Sequence, residues 1–179
     1  MIDDLMGLSA VTRLPLARST VDVSATALEV AAELRAAQPE RRVELVVAPG
    51  MTATADPVLL RLVLLYLLEN AWKFTAEHDA ARIEVGVMDG RRAGADRRAV
   101  ERVFFVRDDG AGFDMAGARF LFGAFQRFHA PGRFEGDGIG LASAQRLVLR
   151  HGGSVWAEAA PEEGATFSFT LSETARAAD

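Results

Sequence analysis

Asn70 and Lys73 sit on one helix-like run, and two glycine-rich stretches follow it, DDGAGF at 108–113 and GDGIGL at 136–141. Glycine serves any tight turn, so neither stretch says much alone. Together with the upstream pair they point to phosphate chemistry. Backbone N–H groups unshielded by side chains can close on phosphate oxygens, while an amide and an ammonium serve a metal ion and residual negative charge. The combination implies a bound nucleotide.

Tyr66, Asn70 and Lys73 follow one another at i, i+4 and i+7 and share one helix face, with Leu60, Leu64, Leu67 and Leu68 on the other. An amide in so apolar a helix is costly unless it is used. Its carbonyl suits Mg²⁺, which otherwise keeps waters and phosphate oxygens. The alternatives are a hydrogen bond to a neighbouring loop for Asn70 and a solvated position for Lys73. Asp108 ends the β-rich run VFFVR, where it can lie on a pocket floor and accept from an exocyclic amine such as that of adenine. An ordinary Asp-Gly turn accounts for the same residues, and Asp109 is the less buried of the two carboxylates.

Gly136, Gly138 and Gly140 lead into a helix over Leu141–Arg150, whose free N–H groups and positive dipole end suit phosphate. No strand immediately precedes them and no GK[ST] follows, so the Rossmann and P-loop patterns both fail. Between the glycine stretches, Phe122, Phe125 and Phe128 read as packing residues. Arg127 and Arg133 either close on phosphate or are solvated.

The elements that must position these groups come from a chain of 179 residues, half of them apolar, enough for one core. There is no cysteine, so no disulfide and no thiolate zinc site, and His78, His129 and His151 are too scattered for a metal cluster. A formal charge of −5 argues against a nucleic-acid surface. The apolar run Val58–Leu68 is too short to span a bilayer, and the acidic start lacks the order of a secretory signal, which predicts a cytoplasmic module without membrane contact.

Ile2, Leu5, Met6 and Ser9 have helical spacing, so residues 1–13 read as the tail of an amphipathic helix ended by Pro15. Ser24 is the expected cap of a helix over Ala25–Gln38, Arg42–Val47 a strand, and Asp56-Pro57 the start of a helix reaching Phe74. Strands are predicted at Ala81–Met88, Ala99–Val106, Ser154–Glu158 and Thr166–Leu171, giving an α/β layered domain with helices packed on one sheet.

The sequence LLENAWKFT (67–75), DDGAGF, FGAFQRFH (122–129), GDGIGL and GATFSF (164–169) resembles, in order, the N box, first glycine box, F box, second glycine box and closing strand of the ATP-binding domain of sensor histidine kinases. That fold is shared with DNA gyrase, mismatch-repair and heat-shock chaperone ATPases. LFGAFQRFH and GIGLASAQRLVLRHGG are most similar to the phytochrome-like branch. The resemblance implies an α/β (α+β) two-layer sandwich of the Bergerat type, with a mixed, mostly antiparallel sheet and helices on one face. It makes residues 1–17 the end of the dimerisation hairpin and its linker, 18–172 the ATP-binding domain and 173–179 a disordered tail.

Carried over by position, the resemblance implies ATP and Mg²⁺ as ligands. Asn70 would bind Mg²⁺, with Lys73 near the phosphates and Asp108 on the adenine amino group. Gly110 and Gly112 would shape that pocket, residues 122–137 would form the ATP lid, and Arg127 would touch phosphate. Gly136, Gly138, Gly140 and Leu141 would lie against the triphosphate, with Phe74 and Thr166 as lesser pocket residues. The implied partners are the phosphoacceptor hairpin of a homodimeric parent and a downstream response regulator; no residue here matches the acceptor histidine. Two positions depart from the family. Tyr66 stands where an asparagine is usual and where hydrolytic relatives keep a glutamate base, and Asp137 stands where Ser or Thr is usual. They leave open a degenerate nucleotide-binding regulatory module and a hydrolytic ATPase of the same fold, the latter opposed by tyrosine being a poor base near neutral pH.

Overall fold

A computed structural model describes residues 15–90, 101–123 and 138–172. These run β1 (Ser19–Asp22), α1 (Val23–Ala37), β2 (Val43–Val47), β3 (Thr52–Ala55), α2 (Pro57–Phe74), β4 (Ala81–Gly90), β5 (Glu101–Asp108), a 3-10 helix (Met115–Phe120), α3 (Gly140–Arg150), β6 (Val155–Ala159) and β7 (Ala165–Thr170). The helix expected over 1–13 and the tail 173–179 lie outside the described residues, as does most of the lid segment.

Asp56-Pro57 starts α2 as the sequence predicts. The Asp56 carboxylate accepts from the N–H groups of Val58 and Leu59, and proline takes a first-turn position where its missing N–H costs nothing. The start of α1 differs from expectation: Asp22 caps it, accepting from Ala25 N at 2.8 Å. Ser24 is buried instead, donating to the Ala48 carbonyl and accepting from Met51 N. Its hydroxyl is thereby committed to the β2–β3 turn, and the cap falls to the carboxylate two residues upstream.

Five strands form one sheet in the order β2-β4-β5-β7-β6, with β2 parallel to β4 and the other pairs antiparallel. The short strands β1 and β3 make a separate antiparallel pair, not anticipated from the sequence. The helices pack on one face of the large sheet. Leu60, Leu64, Leu67 and Leu68 of α2 are wholly buried against Ile83, Val85, Phe104, Val106, Phe167 and Phe169, the alternate residues of β4, β5 and β7. The result is the expected two-layer α/β arrangement with a mixed, mostly antiparallel sheet. Among the described residues no helix is long and apolar enough to cross a membrane.

Because α2 serves both layers, its inward face should dominate stability. Leu64→Ala is expected to cost about 2–5 kcal/mol in denaturant unfolding, whereas Val58→Ala, at a position 62 % exposed, should stay within about 0.5 kcal/mol.

Candidate functional site

The C-terminal end of β5 meets the C-terminal end of α2, and the first glycine stretch joins them. Ala111 N donates to the Phe74 carbonyl at 3.0 Å. Gly110 passes so close that a β-carbon there would sit 2.4 Å from the same oxygen, which no larger residue could tolerate without a shift. Gly112 has φ +57° and would place a β-carbon 1.9 Å from the Ala160 carbonyl oxygen. These contacts carry the chain away from β5 and leave Asp108 at the junction.

Asp108 is 3 % exposed. One carboxylate oxygen accepts from Gly110 N at 3.0 Å; the other, Oδ2, is buried with no hydrogen-bond partner among the described residues. A buried acceptor left unpaired is costly unless a ligand supplies the donor. Burial pushes the carboxyl up to about 6, opposed by the backbone N–H of Gly110 and, beyond hydrogen-bond geometry, that of Ala165, which favour the charged form. Asp109 is exposed, as expected, and accepts from Arg82 N at 2.9 Å with the His78 ring 3.7 Å away.

Tyr66, Asn70 and Lys73 are all half-buried on the α2 face away from the leucines. The Lys73 ammonium lies 4.5 Å from the centre of the Phe74 ring, so Phe74 contributes both a carbonyl to the glycine turn and a face to the lysine. The second glycine stretch reaches the same face of α2. Gly140 opens α3, and a β-carbon built there would be 3.5 Å from Tyr66 Cδ1. Gly138 has φ +67°. Ile139, the residue before α3, has no side-chain cap bond to the helix, and among the described residues none is given to its first N–H groups, which are of the kind that can meet an anion. Leu141 packs against the core, which leaves its backbone N–H as what it can offer at this end.

Thr166, implied by the resemblance as a lesser pocket residue, lies in β7 next to the end of β5. In the β5–β7 register Asp108 pairs with Ala165, and Arg107 with Thr166. Strand side chains alternate, so Thr166 lies on the face opposite Asp108, where its hydroxyl accepts from Arg107 Nε at 3.1 Å. Ala165 is the β7 residue beside Asp108. Arg127, Gly136 and Asp137, with Phe125, Phe128 and Arg133, lie outside the described residues, while Phe122 packs against the core. Among the described residues no group of three or more His, Cys, Asp or Glu could hold a metal ion.

Residues 55–175 match the family of histidine kinase-, DNA gyrase B- and HSP90-like ATPases. The chain is 32% identical over 171 residues to cyanobacterial phytochrome A of Nostoc sp., covering 96% of this chain and 21% of that protein. It is 32% identical over 176 residues to the adaptive-response sensory kinase SasA of Trichormus variabilis, covering 96% of this chain and 42% of that protein. The chain thus spans well under half the length of these relatives. Among solved structures, full-length ShkA in complex with AMPPNP superposes with a TM-score of 0.71 at 26% identity, covering 97% of this chain and 36% of that one.

The Asp108 carboxyl stands at about 6 in the folded chain against 3.8 for an unperturbed group. Its contribution favours folding below pH 3.8, where it is protonated in both states, and is lost as pH rises through about 6. Asp108→Asn is accordingly expected to stabilise the ligand-free domain by about 1–3 kcal/mol near neutral pH, and to have little effect below pH 4, in denaturant unfolding followed across pH. No gain at neutral pH would show that the buried carboxylate is not strained.

Proposed function

The chain belongs to the family of histidine kinase-, DNA gyrase B- and HSP90-like ATPases, and from that premise we propose that it is the ATP-binding catalytic domain of a sensor histidine kinase. Residues 18–172 form that domain and residues 1–17 the end of the dimerisation hairpin with its linker. The observation that carries the reading is the buried, unpartnered Oδ2 of Asp108, an acceptor suited to the exocyclic amine of adenine. Two relatives with kinase or phytochrome names, and a structural neighbour described in complex with AMPPNP, support it.

In this mechanism Asp108 orients adenine, and Gly110 and Gly112 let the backbone approach it. Lys73 and the N–H groups at Gly138–Leu141 hold phosphate oxygens, with Gly136 and Arg127 assigned to the same task. Asn70 supplies the amide oxygen for Mg²⁺, whose charge would neutralise the triphosphate. The acceptor histidine, on a hairpin outside this chain, attacks the γ-phosphorus; an N–P bond forms, the bridging P–O bond breaks, and the electron pair leaves with ADP. The chain's contribution is positioning and charge neutralisation. The parent is a homodimer working in the cytoplasm with a response regulator downstream.

A regulatory module that binds nucleotide without transfer is the second reading. It is favoured by the tyrosine ring lying against Gly140, where it occupies space at the phosphate end of the site.

Calorimetry is expected to show Mg²⁺-sensitive ADP binding, weakened in Asp108→Asn by about 1.5–3 kcal/mol through loss of a charge-assisted hydrogen bond. A folded chain that binds no adenine nucleotide would remove the proposal. With γ-labelled ATP, label is expected on an added dimerisation hairpin of the parent and not on this chain alone. Binding without any transfer would favour the regulatory reading. In the same assay Tyr66→Glu, which puts a carboxylate base one turn before Asn70, should raise phosphate release above the wild-type level.

A further inference from the structure

His151 takes no part in the nucleotide site, yet it is wholly buried and every one of its polar atoms is engaged. Nε2 lies 3.1 Å from Asp56 N, a group that can only donate, so Nε2 accepts. Nδ1 lies 2.8 Å from the Leu147 carbonyl, which can only accept, so Nδ1 carries the proton. The ring is therefore the neutral Nδ1–H tautomer, and it bridges the C-terminal end of α3 to the N-terminal end of α2.

The same two ends grip the incoming chain. Asp56 Oδ2 accepts from Ala17 N at 3.0 Å, while the Asp56 Oδ1 atom caps α2. Arg18 donates to the carbonyls of His151 and Ser172, so the residues leading into the domain and those leaving β7 are held by one guanidinium. Leu16 packs on the core beside them. Gly153 makes the crossing possible, since a β-carbon there would lie 1.8 Å from the Thr170 carbonyl. Four segments thus meet around His151, whose ring joins α2 to α3 and whose carbonyl receives Arg18 and Ser172 N, at the ends of α2 and α3 remote from Phe74 and Gly140.

We propose that His151, with Asp56 and Arg18, is a proton-sensitive clamp that fixes residues 16–18 to the joined ends of α2 and α3 and releases them when its Nε2 is protonated. Protonation sets two donors, Nε2–H and Asp56 N–H, against each other. It also adds a positive charge beside Arg18 of the linker and Arg150 of its own helix, with Asp56 the facing carboxylate. Burial, and those two arginines, hold the ring's proton affinity below the ordinary imidazole value, so the clamp is closed at neutral pH and opens on acidification. The sign follows from a depressed histidine: its stabilising contribution is present above the ordinary value of 6.5 and lost as pH falls through the lower folded value. The clamp itself does not depend on the proposed function; its consequence, that an upstream hairpin is held in a fixed relation to both site-bearing helices only while His151 is neutral, rests on that reading.

NMR on this chain between about pH 8 and about pH 5 tests the clamp, following the His151 ring nitrogens and the exchange of backbone amides corrected for intrinsic rate. The Nδ1–H tautomer is expected at the alkaline end. At the midpoint of ring protonation, Ala17 and Asp56 should lose about tenfold or more of their protection, while core amides such as Leu64 and Val106 keep theirs. His151→Gln, which retains an acceptor and does not titrate, should abolish the pH-linked change. Arg18→Ala removes the guanidinium without removing either hydrogen bond of the ring, and should leave Ala17 poorly protected throughout, with the His151 midpoint raised. Ala17 protection that persists through ring protonation would overturn the proposal, as would a ring that titrates only together with loss of every core amide. Adenine nucleotide affinity, measured separately, tells failure of the clamp from failure of the functional reading.

Discussion

The hydrogen bond from Ala111 N to the Phe74 carbonyl joins the two layers at the one place where their functional residues meet. It forms only because Gly110 has no side chain to strike that carbonyl, and it ends the strand run immediately after Asp108. With the leucine face of α2 locked into the core, the opposite face can carry Asn70 and Lys73 at a defined height above the glycine turn. Breaking this junction would separate the carboxylate from the amide and ammonium and loosen Phe113, which follows the turn into the core against Phe167.

That geometry sets binding against stability. Among the described residues Asp108 keeps one oxygen without a partner in a place that already disfavours its charge, a cost the fold tolerates through the long apolar contact of α2. A ligand amine would relieve the cost and so be held more tightly than by a solvated carboxylate. His151 offers a contrast: an equally buried titratable group whose hydrogen bonds are all satisfied, and whose work is to hold segments together.

Much of this was legible in the sequence where one residue type had one physical role. Asp56-Pro57 gave the start of α2, the leucine spacing gave its buried face, and the β-rich run VFFVR gave β5, with Asp108 placed at its end before the glycines. What failed did so where several partners compete for a group. Ser24 was a plausible cap, but its hydroxyl was claimed by Ala48 and Met51 from a turn more than twenty residues away. Which β7 residue stands beside Asp108 depends on strand parity, which motif order does not carry: one residue along β7 separates the face of Asp108 from the face of Arg107 and Thr166. The four-residue strands β1 and β3 carry too few side chains for a period to show. The role of His151 depends on partners 95 residues apart, a distance over which no local pattern speaks.

The central claim is that the unpaired Asp108 oxygen selects adenine by its amino group. Calorimetric titration of the folded chain with ADP and with IDP, in which a carbonyl replaces that amine, tests it most directly. The account predicts that IDP binds at least about tenfold more weakly, since a carbonyl would face a carboxylate and leave both unpaired. Equal affinity for the two nucleotides would contradict it.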